Sequence, residues 1–131
     1  MICVSGGFSI LHVGHARLMR AAAEYGPLTV ILNSDAWIKR KYGYVPVPWE
    51  ERAEMLMSLK DVGKVVSVDD SDETVCEALE SLRPQYFANG GDRKEDNTPE
   101  LALCKRFNII PLFNIGGSKA NSSSWILNAV R

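Results

Sequence analysis

At 131 residues, with 46% hydrophobic content and a formal net charge of −1, the chain has material for one compact domain with a core and too little for two. The balanced charge excludes global attraction to nucleic acid or an anionic membrane, so any basic chemistry has to be local. No apolar run approaches the ~20 residues of a membrane span, and no basic flank with a cleavable apolar stretch opens the chain, so a cytoplasmic protein is expected.

Short apolar runs alternate with helical patterns along the chain, the signature of a parallel sheet covered by helices. The expected fold is α/β: a Rossmann-like open parallel five-stranded sheet with helices on both faces, in a single domain over residues 1–131. Met1 to Ser5 is the first expected strand. His15, Leu18, Met19, Ala22 and Ala23 then keep helical spacing until Gly26-Pro27 stops it. Leu28 to Asn33 is the second strand, followed by a basic segment, Lys39-Arg40-Lys41, and a proline-bearing loop from Tyr42 to Trp49. A helix is expected from Glu50 to Lys60, with its acidic residues at the start where the macrodipole favours them, and a third strand from Val65 to Val68. Asp70 to Asp72 reads as the opening of a helix that runs to Leu82 and ends at Arg83-Pro84. Gln85 to Ala88 is the fourth strand, leading into Asn89-Gly90-Gly91-Asp92. Thr98-Pro99-Glu100 starts a helix to Phe107, Ile109 to Phe113 is the fifth strand, and a last helix begins near Ser122. Cys3, Cys76 and Cys104 are odd in number and lack metal-type spacing, so buried reduced thiols are expected.

The richest stretch is Gly6-Gly7-Phe8-Ser9-Ile10-Leu11-His12-Val13-Gly14-His15. After an apolar strand, glycines let backbone N–H groups approach an anion, and the helix that follows adds partial positive charge. His12 and His15, three apart, project from one face of the first turn, so two donors can meet one phosphate. A hydrolytic zinc site wants a third protein ligand, and the chain has no other histidine. In an open parallel sheet, ligands bind beyond the C-terminal strand ends where the order reverses. His12, Asp35, Asp92 and the serines near position 122 would gather there. Lys39 to Lys41 also reads as a solvated run, Arg52 as an intrahelical ion pair, Asp92 as a turn cap and the serines as helix caps. Asp35 reads equally as a cap or a ligand-facing residue, and Trp49 as a stacking or packing residue.

These residues resemble the cytidylyltransferase-like family of small nucleotidylyltransferases, whose hallmark is an H-x-G-H turn after the first strand, here His12-Val13-Gly14-His15. The resemblance covers almost the whole chain. It is strongest to the nucleotidylyltransferase domain of bacterial ADP-heptose synthases, through Asn33-Ser34-Asp35-Ala36 with Lys39-Arg40, Glu50-x-Arg52, Asn89-Gly90-Gly91-Asp92 and Ser122-Ser123-Ser124. It implies transfer of a nucleoside monophosphate from a nucleoside triphosphate to a small phosphorylated acceptor, with release of pyrophosphate. Adenylyl transfer to a heptose-1-phosphate-like sugar phosphate leads. Cytidylyl transfer to glycerol-3-phosphate or a similar polyol phosphate is the alternative within that chemistry, and a catalytically degenerate nucleotide-binding module the alternative outside it.

By the same resemblance, His12 and His15 contact the triphosphate and stabilise the transferring centre, and Gly7 and Phe8 offer backbone contacts. Lys39 reaches acceptor or triphosphate oxygens, with Arg40 beside it at the acceptor. Arg52 meets the β- and γ-phosphates, Asp92 either the ribose or a residue that itself touches the nucleotide, and Ser122, Ser123 and Ser124 add hydroxyls and helix N-terminal amides. Mg²⁺ arrives with the triphosphate rather than in a protein cage, and a homo-oligomer is implied. The chain departs from the family at Ser9, where an aspartate is usual, and at Asn89, where the heptose branch has lysine. Serine hydrogen-bonds but brings no charge.

Overall fold

The computed structural model of the chain describes residues 1–90 and 98–115. In chain order the elements are β1 (Ile2–Gly6), α1 (Val13–Ala23), β2 (Leu28–Leu32), α2 (Asp35–Tyr42), α3 (Trp49–Met57), β3 (Lys64–Val66), α4 (Cys76–Leu82), β4 (Tyr86–Gly90), α5 (Pro99–Arg106) and β5 (Ile110–Ile115). The strands form one sheet in the order β3-β2-β1-β4-β5, and every neighbouring pair is parallel. The order therefore reverses at β1. β2 and β3 step away on one side and β4 and β5 on the other, which gives the expected Rossmann-like α/β sheet.

Side-chain alternation along the strands separates two cores. Ile2 and Val4 of β1, with Leu28, Val30 and Leu32 of β2, pack with Leu18, Met19 and Ala22 of α1 and Leu56 of α3. Cys3 of β1 and Ile31 of β2 face the opposite way, onto Ala78 and Leu79 of α4 and Cys104 of α5. A period of two in the strands thus puts helices on both faces. Cys3, Cys76 and Cys104 are free thiols; Cys3 and Cys104 are buried and Cys76 half-buried. Burial pushes the Cys3 thiol up to about 12 and the Cys104 thiol up to about 11.

Two helices differ from the sequence expectation. Asp35–Tyr42, where the sequence reading has only the basic segment Lys39 to Lys41 and the start of a loop at Tyr42, form α2. The Ser34 hydroxyl accepts from the Trp37 N–H at 3.0 Å to cap its start, and Gly43 (φ +86°) ends it in the left-handed region. Conversely, α4 begins at Cys76 rather than at Asp70 to Asp72. Asp69 and Asp72 each accept from both the N–H and the hydroxyl of the residue two further on, Ser71 and Thr74, and Glu73 takes φ +67°. Those local turns hold the backbone away from helix. α5 starts as expected, with the Thr98 hydroxyl accepting from the Leu101 N–H and Pro99 in the first turn. The last helix expected near Ser122 lies outside the described residues.

Candidate functional site

The candidate site is built on the turn from Gly6 to His12, which leaves β1 at the reversal of strand order and enters α1. The Asn33 N–H donates to the Gly6 carbonyl at 3.0 Å, tying the C-terminal ends of β1 and β2 together. The glycines have a structural reason beyond close approach of a phosphate. A Cβ on Gly6 would lie 3.0 Å from the Phe8 ring, and one on Gly7 would lie 2.7 Å from Ile38 Cδ1 and 3.3 Å from the Trp37 ring. Phe8 folds over the first position and α2 packs over the second.

His12 is the N-cap of α1. Its Nδ1 accepts from the Gly14 N–H at 3.1 Å, while the His12 N–H donates to His15 Nδ1 at 3.3 Å. The two rings stack with centroids 4.0 Å apart, and Phe8 meets His15 edge-on at 5.1 Å. Because each Nδ1 is an acceptor, each neutral imidazole carries its hydrogen on Nε2. Burial holds the His12 imidazole below its ordinary pKa, which favours that neutral form. Among the described residues, the buried side-chain polar atoms without a hydrogen-bond partner are His12 Nε2 and Ser9 Oγ. Both belong to this turn. A buried donor left unpaired costs ~1–3 kcal/mol, so two on one turn mark a place for a ligand.

The cationic residues separate into different roles. Lys39 is exposed on α2, one helical turn beyond Asp35 and on the same face as that residue. Arg40 turns towards the loop before α4, where its Nε donates to Glu73 and its Nη2 to the Asp70 carbonyl at 2.9 Å. Its Nε and Nη2 are thus engaged by acceptors of the acidic loop. Arg52, expected at the β- and γ-phosphates, is 1% exposed. Its Nε donates to the Val47 carbonyl at 2.9 Å, its Nη1 to the Gly7 and Asn33 carbonyls at 2.8 Å each, and its Nη2 to Asp35 Oδ1 at 2.6 Å. This corrects the expectation: the guanidinium is a strut behind the turn, with four of its five N–H donors taken by protein oxygens. Asp35 is its ion-pair partner, and the cap of α2 is Ser34 instead. Trp49 packs against the core, and its indole N–H donates to the Leu32 carbonyl at 3.2 Å.

Sequence reading missed Asp70, which is 3% exposed. Its carboxylate accepts from the Asn33 side-chain amide at 3.0 Å, the Ser34 N–H at 2.8 Å and the Ser34 hydroxyl at 2.6 Å. Burial opposes its ionisation, but these hydrogen bonds outweigh it and hold the carboxyl below the usual carboxylate range. Asn33-Ser34-Asp35 after a strand is the signal for such a brace, although the partner 36 residues on is invisible in sequence. Asp92, Ser122, Ser123 and Ser124 lie outside the described residues, while the backbone of Gly90 ends β4 beside β1.

No group of three or more His, Cys, Asp or Glu side chains suited to a metal comes together among the described residues. The side chains at the turn are N–H donors and a hydroxyl, and Asp35 Oδ1 accepts from Arg52. That donor set fits anionic oxygens. Nor is any helix of the described residues long and apolar enough to cross a membrane.

A sequence profile described as cytidylyltransferase-like matches residues 3–112. The chain is 37% identical over 97 residues to an FAD synthase of Pyrococcus abyssi, covering 72% of this chain and 65% of that protein. It is 38% identical over 108 residues to the bifunctional protein HldE of Geotalea uraniireducens, covering 80% of this chain but 21% of that protein. The chain thus spans under two thirds of the one relative and about a fifth of the other. The crystal structure of a lipopolysaccharide core biosynthesis protein from Thermoplasma volcanium GSS1 shares the fold, with a TM-score of 0.71 at 22% identity, over 90% of this chain and 97% of that one.

Proposed function

We propose, for a chain that belongs to the cytidylyltransferase-like family, that it transfers a nucleoside monophosphate from a nucleoside triphosphate to a small phosphorylated acceptor. The observation that carries this reading is the pair of buried, unpartnered polar atoms, His12 Nε2 and Ser9 Oγ, on the turn where the sheet order reverses. An acceptor phosphate oxygen attacks the α-phosphorus in line. The bond from that phosphorus to the bridging oxygen of the β-phosphate breaks, and pyrophosphate leaves with the electron pair.

Negative charge grows on the nonbridging and leaving oxygens, so catalysis is chiefly positioning and charge stabilisation. The Nε2–H groups of His12 and His15 serve as donors already aimed by their Nδ1 caps, so they need little reorganisation as that charge develops. The Ser9 hydroxyl adds a third donor. Lys39 supplies a mobile charge for acceptor or triphosphate oxygens. Mg²⁺ bound with the triphosphate would offset part of its charge. In this reading Asp92 meets the ribose, Ser122, Ser123 and Ser124 add donors to the phosphates, and the enzyme works in the cytoplasm as a homo-oligomer.

The leading acceptor is a heptose-1-phosphate-like sugar phosphate with ATP as donor, on the likeness to HldE. The likeness to an FAD synthase favours a second reading in which the acceptor is a flavin phosphate. Pyrophosphate release with each of ATP, CTP, GTP and UTP plus Mg²⁺ tests both, against heptose-1-phosphate, other sugar phosphates, glycerol-3-phosphate and flavin mononucleotide. Acceptor-dependent release is expected, and the productive pair names base and substrate class together. Nucleotide binding without release from any pair would point instead to a binding module.

A further inference from the structure

Arg52 joins three chain segments through their carbonyls. Gly7 lies in the turn after β1, Asn33 follows β2, and Val47 lies in the loop before α3. A trans peptide points its N–H opposite to its C=O. At the Asn33–Ser34 peptide both ends are occupied: the carbonyl accepts from Arg52 and the Ser34 N–H donates to Asp70 at 2.8 Å. At the Gly7–Phe8 peptide the carbonyl is likewise held by Arg52, at 2.8 Å, so the Phe8 N–H is turned away from the guanidinium. Among the described residues no acceptor meets that N–H.

Phe8 itself stands at φ +48°, in the left-handed region. For a residue with a Cβ this conformation is strained, and such strain persists only where the surroundings over-determine it. Here the ring is buried over Gly6 and against His15, while the preceding carbonyl is clasped by Arg52. Ring and carbonyl are thus anchored on either side of the amide.

We infer that Arg52 is a positioning residue: by clasping the Gly7 and Asn33 carbonyls it holds the Phe8 N–H as a preorganised backbone donor for a phosphate oxygen, beside the histidine pair. The inference rests on the nucleotidyl-transfer reading and deepens it. A guanidinium suits the task because its fork reaches several carbonyls from one plane. A lysine ammonium keeps the charge but radiates from a single point, and cannot span the same acceptors. Asp35 completes the clasp by balancing the buried charge.

The test uses ¹⁵N-labelled protein titrated with inorganic triphosphate, which probes phosphate recognition without a base. In the wild type the Phe8 amide resonance is expected to move downfield on binding. In Arg52→Lys, shown folded by its remaining amide spectrum, triphosphate affinity is expected to fall about tenfold or more, and the Phe8 amide to lose its response. A lysine variant that binds as tightly with an unchanged Phe8 response overturns the clasp and leaves the function standing. Should Arg52→Lys not fold, Asp35→Ala removes the one side-chain acceptor and retains the three carbonyls. A several-fold loss of affinity with a weakened Phe8 response is then expected, and wild-type behaviour overturns the proposal. Failure of the wild-type protein to bind triphosphate would instead strike the nucleotidyl-transfer reading itself.

Discussion

His12 and His15 cap one helix between them. His12 Nδ1 takes the Gly14 N–H at 3.1 Å, and His15 Nδ1 takes the His12 N–H at 3.3 Å. Each ring spends one nitrogen on the backbone and carries its hydrogen on the other. The H-x-G-H pattern therefore has two functions at once, because the hydrogen bonds that terminate α1 also set the tautomers of the two candidate donors.

That coupling makes the helix start sensitive to acid. Protonated His12 carries hydrogen on both nitrogens, so its Nδ1 can no longer accept from Gly14. Its folded-state pKa lies below the ordinary imidazole value of about 6.5, so the unfolded chain binds the proton more readily. The cap's contribution is complete above about pH 6.5 and is lost as pH falls through the lowered folded value. His12→Asn keeps a capping side chain that does not titrate in this range. Between pH 7.5 and 5.5 the wild-type melting temperature is expected to fall further than that of the variant; parallel curves would show that the cap does not titrate.

His15→Ala removes a donor expected to meet the transferring phosphate. Turnover should fall ~10²–10³-fold, while loss of the cap costs about 1 kcal/mol. Steady-state pyrophosphate release and a denaturant melt on the same variant separate the two. Near-wild-type turnover would remove His15 from the chemistry.

Ser9 offers a test in the opposite direction. Its hydroxyl is buried and unpartnered among the described residues, so Ser9→Ala relieves a desolvated polar group. The unliganded protein is expected to be as stable as the wild type or more so, by up to about 1 kcal/mol, while triphosphate binding weakens. Thermal melts with and without inorganic triphosphate read both effects. A variant destabilised in the absence of ligand would mean that the hydroxyl serves the fold.

The packing of α2 on the turn can be measured by a double-mutant cycle. A Cβ on Gly7 would fall 2.7 Å from Ile38 Cδ1, and Ile38 is fully buried. Gly7→Ala is expected to cost about 1–3 kcal/mol through overpacking. Ile38→Val deletes the opposing methyl and costs about 0.5–1.5 kcal/mol alone. Combined, the two should cost less than their sum, by 0.5 kcal/mol or more in urea melts, a coupling taken as ~0.5–3 kcal/mol for residues in contact. Strict additivity would argue that the turn shifts away from α2 instead.

Asp70 makes the second prediction about acid. Its folded-state pKa is depressed, so the stabilisation it confers is present above the ordinary carboxylate value of about 3.9 and is lost as pH falls through the folded value. Asp70→Asn replaces an acceptor of three donors with a group that must present an amide to some of them. The expected cost at pH 7 is ~1–3 kcal/mol, shrinking towards pH 3 as the wild-type carboxylate protonates. An unchanged difference across that range would mean that the carboxylate's charge contributes nothing.

The alternation of apolar strands with amphipathic helices was legible from residue order alone, because strand and helix periods are local properties. So was the turn carrying His12 and His15, whose glycines and histidines lie within one short stretch of chain. α2 was missed although both of its signals, Ser34 and Gly43, are in the sequence; the basic run and the prolines beyond it masked them. The early start expected for α4 failed because Asp69 and Asp72 satisfy turns as readily as they open helices, and local hydrogen bonds decided between the two.

Arg52 needed the tertiary structure. At a helix start near a phosphate-type turn, an arginine reads equally as an anion hand or a strut. The difference lies in carbonyls at Gly7, Asn33 and Val47, which only the packing of β1, β2 and the loop before α3 brings around one guanidinium. The brace of Asp70 on Ser34 was hidden for the same reason. Residue order determined which chemical groups the chain carries and the local geometry that presents its histidines. Tertiary packing decided which charged groups are consumed within the protein and which are left to meet a ligand, because that depends on hydrogen-bond partners distant in sequence.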